Sequence, residues 1–177
     1  AITIIPDELL HHQELIGKAI LKLNNRIKVV TKRDGHYSGT HRTMPLAIIA
    51  GDNRKETECK EFGIRLRMNP ELVYFSVRTG NERKRIADQV LQGEQVLVMF
   101  SGIAPFPLMI SRYSKAKVIY GIEANPHAHY YGAQNILLNK SQNIKLLEGA
   151  VEKVIPTLEI KFDRHHAADK ICTRFPA

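Results

Sequence analysis

Val96-Leu97-Val98-Met99-Phe100-Ser101-Gly102-Ile103-Ala104-Pro105-Phe106 is the stretch that decides the fold of this chain. The uninterrupted apolar run predicts a strand over Gln95–Phe100 buried on both faces, the pattern of a parallel sheet. A turn of small residues follows, and then a helix over Pro107–Arg112. Such a turn at the carboxyl end of a parallel strand lets backbone amides approach a ligand closely. The next strand, Lys117–Ile122, ends in Glu123-Ala124-Asn125-Pro126. A carboxylate at that place can accept hydrogen bonds from both hydroxyls of a ribose. A dinucleotide site needs a third glycine so that the helix packs close to the pyrophosphate. Pro105 and Phe106 occupy that region, which favours S-adenosylmethionine (SAM), a nucleoside without a pyrophosphate, over NAD. An α/β domain with no ligand is the plain alternative on this pattern alone.

Working outward, Glu82–Gln92 and His127–Leu138 read as helices and Ile144–Glu148 as a strand. Strand and helix alternate from residue 81 on, which predicts a parallel α/β sheet. The segment before it differs. Ile2–Ile5 reads as a strand, Asp7 caps a helix reaching Leu23, and Ile27–Thr31 and Leu46–Ala50 read as strands. Thr57–Phe62 and Ile64–Met68 read as a hairpin around Gly63. The fold class expected is therefore α/β: a small N-terminal α+β module, residues 1–72, then a partial Rossmann-like domain, residues 73–177.

Composition narrows the partners. Lys and Arg number 26 against 18 Asp and Glu, a net charge of +8, and this favours a polyanion. The excess is spread along the chain with no basic tail, so a binding surface must be assembled by folding. Two cysteines far apart make neither a disulfide framework nor a zinc pattern, which fits a reducing, cytoplasmic setting. No apolar run approaches the length needed to span a bilayer. His127 and His129, at i and i+2 on a helix, do not share a face, so no metal site is expected.

One series of segments is more specific. Val73-Tyr74-Phe75-Ser76-Val77-Arg78, Asn81-Glu82-Arg83-Lys84-Arg85-Ile86-Ala87, Met99–Phe106, Ile122–Pro126 and Asn135–Asn139 together resemble the archaeal and eukaryotic type of tRNA (guanine-N1)-methyltransferase. Gly17-Lys18-Ala19-Ile20 and Ile48-Ile49-Ala50-Gly51 extend the likeness through the N-terminal module. The resemblance implies a class I methyltransferase that is monomeric when full length. It would use SAM to methylate the guanosine just 3′ of the tRNA anticodon. It also implies roles: Glu82 as general base for the N1 proton, and Arg42 as the cation beside O6. Tyr74, Arg78 and Arg83 would hold the flipped nucleotide and its phosphates, and Phe100, Gly102, Glu123 and Asn125 the cofactor. Taken without the resemblance, Glu82 is a dipole-favoured helix start, Arg42 a surface cation and Tyr74-Phe75 a core pair. A related branch transfers an aminocarboxypropyl group in wyosine synthesis; the Gly-Ile-Ala-Pro-Phe run looks more like the methyltransferase branch.

The chain departs from that family at four places. Val98 stands where an acid is usual, Ala104 where glycine is usual, and Ala150 where aspartate is usual. Ala104 is expected to put a methyl group close to the ligand, and Ala150 to remove an adenine contact. After Phe162-Asp163-Arg164 the family continues into a strand and a Met-Pro-Leu-Pro or Asn-Leu-Pro loop beside the target base. Here the chain reads His165-His166-Ala167-Ala168 and on to Ala177. Read one nucleotide later, its degenerate codons permit Ile-Met-Pro-Leu-Thr-Lys-Ser-Ala, similar to that continuation. Residues 165–177 are therefore expected to be a non-native tail and the domain to be incomplete at its C-terminus. An inactive RNA-binding remnant is the third reading these departures leave open.

Overall fold

The computed structural model describes residues 1–35, 39, 41 and 43–167. They form two units, Ala1–Glu56 with Asn69–Leu72, and Thr57–Met68 with the chain from Val73 onward. Arg42 and residues 168–177 lie outside the described residues.

In the first unit, β1 (Ile2–Thr3), β2 (Val29–Arg33) and β3 (Leu46–Gly51) form a sheet in that order. The β1–β2 pair is parallel and the β2–β3 pair antiparallel. Helix α1 (Gln13–Leu23) packs on β2 and β3. The segment Asp7–His12 is a 3-10 helix that buries no side chain, so the helix expected from Asp7 begins only at Gln13. Leu9 and Leu10 are adjacent rather than helically spaced, and no apolar stripe holds that turn down. Strand β2 starts two residues later than expected because the Ile27 N–H donates back to the Asn24 carbonyl in a turn. Glu71 ties the distant piece 69–72 to this unit: its carboxylate accepts from the Leu46 N–H at 3.1 Å and from Lys55 at 2.6 Å. Lys55 holds that carboxyl below the usual carboxylate range.

The second unit runs β4 (Thr57–Glu61), β5 (Ile64–Met68), α2 (Gly80–Asp88), β6 (Gln95–Met99), α3 (Pro105–Tyr113), β7 (Val118–Glu123), α4 (Pro126–Leu138), β8 (Ile144–Glu148), α5 (Val151–Val154) and β9 (Arg164–Ala167). Strands β8-β7-β6-β9 form one sheet with every neighbouring pair parallel. The expected α/β class is what the structure has. Leu97, Met99, Tyr120 and Ile122 face one side and pack with Val151 and Ala167 beneath the 151–162 segment. Alternation turns Val96 and Val98 to the opposite side. Helices α3 and α4 cross β7 and β8, and α2 packs on α3. Gly132 sets the approach of α4, since a Cβ there would stand 2.8 Å from Leu146 Cδ1. His165, His166 and Ala167, from the segment expected to be non-native, lie within β9 and pair with β6.

The hairpin was expected in the N-terminal module; the structure instead groups it with the second unit. Its two-residue loop, Phe62-Gly63, has both φ positive (44° and 75°), the conformation that matches strand twist in a tight hairpin. Two asparagines explain its allegiance. Asn135 of α4 accepts from the Arg67 N–H at 2.7 Å and donates to the Arg67 carbonyl at 3.1 Å. One turn later, Asn139 does the same to Arg65, at 2.8 and 2.7 Å. Residues i and i+4 of a helix thus meet residues i and i+2 of a strand, and the helix satisfies the β5 edge as another strand would.

Candidate functional site

The loop from Phe100 to Ala104 sits at the carboxyl edge of the parallel sheet, where ligands bind in open α/β folds. Its backbone is unusual. Phe100, Gly102 and Ala104 all have positive φ, at 56°, 57° and 66°. Left-handed backbone at a residue with a Cβ costs about 1–2 kcal/mol and persists only where the surroundings enforce it. Here they do. Asn135 donates to the Ile103 carbonyl at 3.1 Å, and Glu123 accepts from the Gly102 N–H at 2.7 Å. The other oxygen of Glu123 accepts from the Asn125 N–H at 2.8 Å, and Asn125 Oδ1 caps α4 by accepting from the His127 N–H at 3.0 Å. One carboxylate thereby fixes both loops. Each of its oxygens keeps a further lone pair, so together they can accept from two neighbouring hydroxyls. Phe100 in the same loop is 46% exposed, and Asn125 is buried. The four residues expected at a cofactor are brought together at one edge.

Glu82 belongs to a neighbouring helix. It lies in the first turn of α2, and its charge acts on His166 at the carboxyl end of β9. The His166 ring lies 4.4 Å from that of Phe106 in the first turn of α3. Glu82 is not free: Arg85 donates to both its oxygens at 2.6 and 2.7 Å and holds its carboxyl below the usual range. It is ionised at neutral pH, as a general base must be, but it must part from Arg85 to take a proton.

Arg83 is placed differently from the other two residues expected at the RNA. The structure buries it and pairs it with Glu61 of β4, to whose Oε1 its Nε donates at 2.7 Å. It also donates to Thr79 Oγ1 and, at 3.0 Å, to the Ser76 carbonyl, with Phe75 beneath its face at 5.1 Å. Four of the five N–H groups of the guanidinium are engaged within the protein. Arg78 is exposed with no acidic partner among the described residues, and Tyr74 is 40% exposed. These two retain the access that an RNA contact requires.

The departures take on physical meaning. Val98 is fully buried, so β6 presents no acid to the loop. Ala104 is also fully buried, and its Cβ points toward Gly132 of α4, 3.6 Å from where a Cβ there would stand. Its methyl group packs against that helix, and its backbone is left-handed. Ala150 is the N-cap of α5 and gives it no side-chain cap, the task an aspartate would perform. Ser101 was not singled out from sequence, yet its hydroxyl is buried beneath the loop with no hydrogen-bond partner among the described residues. Nothing in its sequence context marks that.

His166 carries a testable pH dependence. Burial pushes its pKa below the ordinary histidine value, Glu82 opposes this more weakly, and Nε2 is buried without a partner. Above about pH 6.5 the ring is neutral whether the chain is folded or not, and it contributes no pH dependence. As pH falls through that value the unfolded chain takes up a proton that the folded chain resists, so stability drops. Thermal melts from pH 7.5 to 5.5 are expected to fall for the parent chain and to fall less for His166→Leu. Parallel slopes would refute the assignment.

No helix among the described residues is long and apolar enough to cross a membrane, and no cluster of three metal-ligating side chains occurs among them. Residues 57–172 match the family model described as the TRM5/TYW2 methyltransferase domain, and residues 1–54 match the TYW2 N-terminal domain. A tRNA (guanine(37)-N(1))-methyltransferase, Trm5b of Pyrococcus abyssi, is 37% identical over 93% of this chain and 48% of its own length. Its crystal structure superposes with a TM-score of 0.80, at 35% identity over 93% of this chain and 48% of that one. A tRNA(Phe) (4-demethylwyosine(37)-C(7)) aminocarboxypropyltransferase of Methanocaldococcus jannaschii is 34% identical over 79% of this chain and 57% of its own. The structure of M. jannaschii TYW2 in complex with AdoMet matches with a TM-score of 0.63, at 31% identity over 80% of this chain and 58% of that one. The chain spans about half the length of the curated relatives it matches.

Proposed function

The chain belongs to the TRM5/TYW2 methyltransferase family, and from that premise we propose that it transfers a methyl group from SAM to N1 of the guanosine 3′ of the tRNA anticodon, in the cytoplasm. The observation that carries this reading is the single carboxylate of Glu123 holding the Gly102 and Asn125 loops at the carboxyl edge of the sheet. SAM supplies an electrophilic methyl group on a sulfonium. Glu123 would accept from the ribose hydroxyls on its remaining lone pairs, and Phe100, Gly102 and Asn125 would line the nucleoside. Glu82 would leave Arg85 to take the N1 proton, so that N1 can take the methyl group from the sulfonium, whose S–C bond breaks to leave a neutral thioether. Arg42 would balance the charge developing on O6. Tyr74 and Arg78 would hold the nucleotide out of its stack. Arg83 would act one step away by fixing Ser76 and Thr79, so that α2 presents Glu82 at a set angle.

A second reading is favoured by the N-terminal match to the TYW2 domain and by the aminocarboxypropyltransferase relative. Both readings use the same cofactor and the same tRNA position. Mass analysis of nucleosides from tRNA incubated with the chain and SAM separates them. Addition of a methyl to guanosine is the expected result. A four-carbon amino-acid adduct assigns the second branch. Unmodified tRNA together with no SAM binding by calorimetry overturns both and leaves an RNA-binding remnant.

A further inference from the structure

The opposite, amino-terminal edge of the parallel sheet holds an open groove of about 420 Å³ between the ends of α3 and α4. Arg112, Lys140, Ser141 and Gln142 line it. Within residues 111–145 there are five Lys or Arg and a single acid, Glu123, which sits at the cofactor edge. Lys115 and Lys117 extend the charge beyond the groove at the start of β7. Glu94 and Asp163 also lie at this edge, but Glu94 is paired with Arg164 at 3.0 Å and Asp163 accepts the Gln95 N–H at 2.8 Å. Neither Arg112, Lys115, Lys117 nor Lys140 has an acidic partner among the described residues.

Lys140 carries the sharper observation. It follows the C-cap Asn139 with φ 55°. Its N–H donates to the Leu137 carbonyl at 3.1 Å and that of Ser141 to the Ile136 carbonyl at 3.1 Å. That paired pattern ends a helix on a left-handed residue, where glycine is strongly preferred. A lysine there accepts strain that a glycine would remove, and it lines the groove.

We propose that this groove is a second RNA contact, in which Arg112 and Lys140 hold backbone phosphates on the side of the domain remote from the cofactor loop. A strip of cations longer than one anion fits a polymer better than free phosphate. The identity of the polymer rests on the tRNA reading above. Phosphate contacts set affinity and its salt dependence without reading sequence.

The test measures binding of an anticodon stem-loop RNA across salt concentration, with thermal melts and SAM calorimetry on the same samples. Lys140→Gly is expected to raise Tm by about 2–4 °C while weakening RNA binding by about three- to tenfold. Each of Lys140→Gly and Arg112→Gln should lower the salt slope by about 1. SAM binding should not change in either. Opposite signs for stability and RNA affinity are what a merely structural lysine would not give. Unchanged affinity and slope in both variants, with the parent chain still binding RNA, overturns the groove and leaves the tRNA reading standing. No RNA binding by the parent chain overturns both. Inorganic phosphate that competes at micromolar concentration and loses its effect in the variants overturns the polymer assignment.

Discussion

Replacing Arg83 by alanine is expected to lower the unfolding free energy by about 3–5 kcal/mol, a large part of what a domain of this size has. The side chain of Arg83 is 3% exposed and that of Glu61 10%. Truncating the arginine leaves the Glu61 carboxylate buried beside Gly80 without its counter-charge, and strips the Ser76 carbonyl and Thr79 hydroxyl of a donor. A lysine does not repair this, because one ammonium cannot reproduce the two-pronged contact with both oxygens of Glu61. Urea unfolding of Arg83→Ala, Glu61→Gln and the double variant measures the coupling. The double variant is expected to be more stable than Arg83→Ala alone, since it no longer strands a charge. The same experiment decides between two roles for Arg83. A phosphate ligand would lose RNA affinity with stability intact; a clamp loses stability first, and additive effects of the two changes would sink the clamp.

That pair also shows where sequence reading stops. Arg83 follows Glu82 and precedes Lys84 and Arg85, and the run reads as the wet first turn of a helix. What buries it is Glu61, 22 residues away on a hairpin whose place in the fold depends on Asn135 and Asn139. Those asparagines stand in the series that resembles the methyltransferase family, but no local rule says that they complete the edge of β5. The β6–loop–β7 segment was legible for the opposite reason. Its buried run, its small-residue turn and its acid at the end of the next strand are local signals, each with one physical meaning. The Phe62-Gly63 turn was legible likewise. Ala104 lies between these cases: its place in the loop was readable, but the direction of its methyl group depends on how closely Gly132 lets α4 approach.

Glu123→Gln is expected to weaken SAM binding about 100-fold or more. Hydrogen bonds to a charged acceptor contribute about 1.5–3 kcal/mol each, and the ribose would make two. In addition, the amide of glutamine offers only one acceptor oxygen. Glu123 already accepts one backbone N–H on each oxygen, from Gly102 and from Asn125. Whichever way the amide lies, its NH2 group meets a backbone N–H, and one of the two loops is pushed off. Loss of the Gly102 contact frees a segment in which Phe100 and Ala104 are held at positive φ against their own preference. The variant should therefore show two effects that separate on measurement: a Tm lower by a few degrees without ligand, and a SAM affinity lower by far more than that destabilisation explains. Glu123→Asp keeps the charge but is one methylene short of spanning both loops, so it should recover only part of the affinity. Calorimetry of the three proteins decides the matter. Equal SAM affinity in parent and Glu123→Gln would remove the carboxylate from the cofactor site and leave it only the task of tying two loops together.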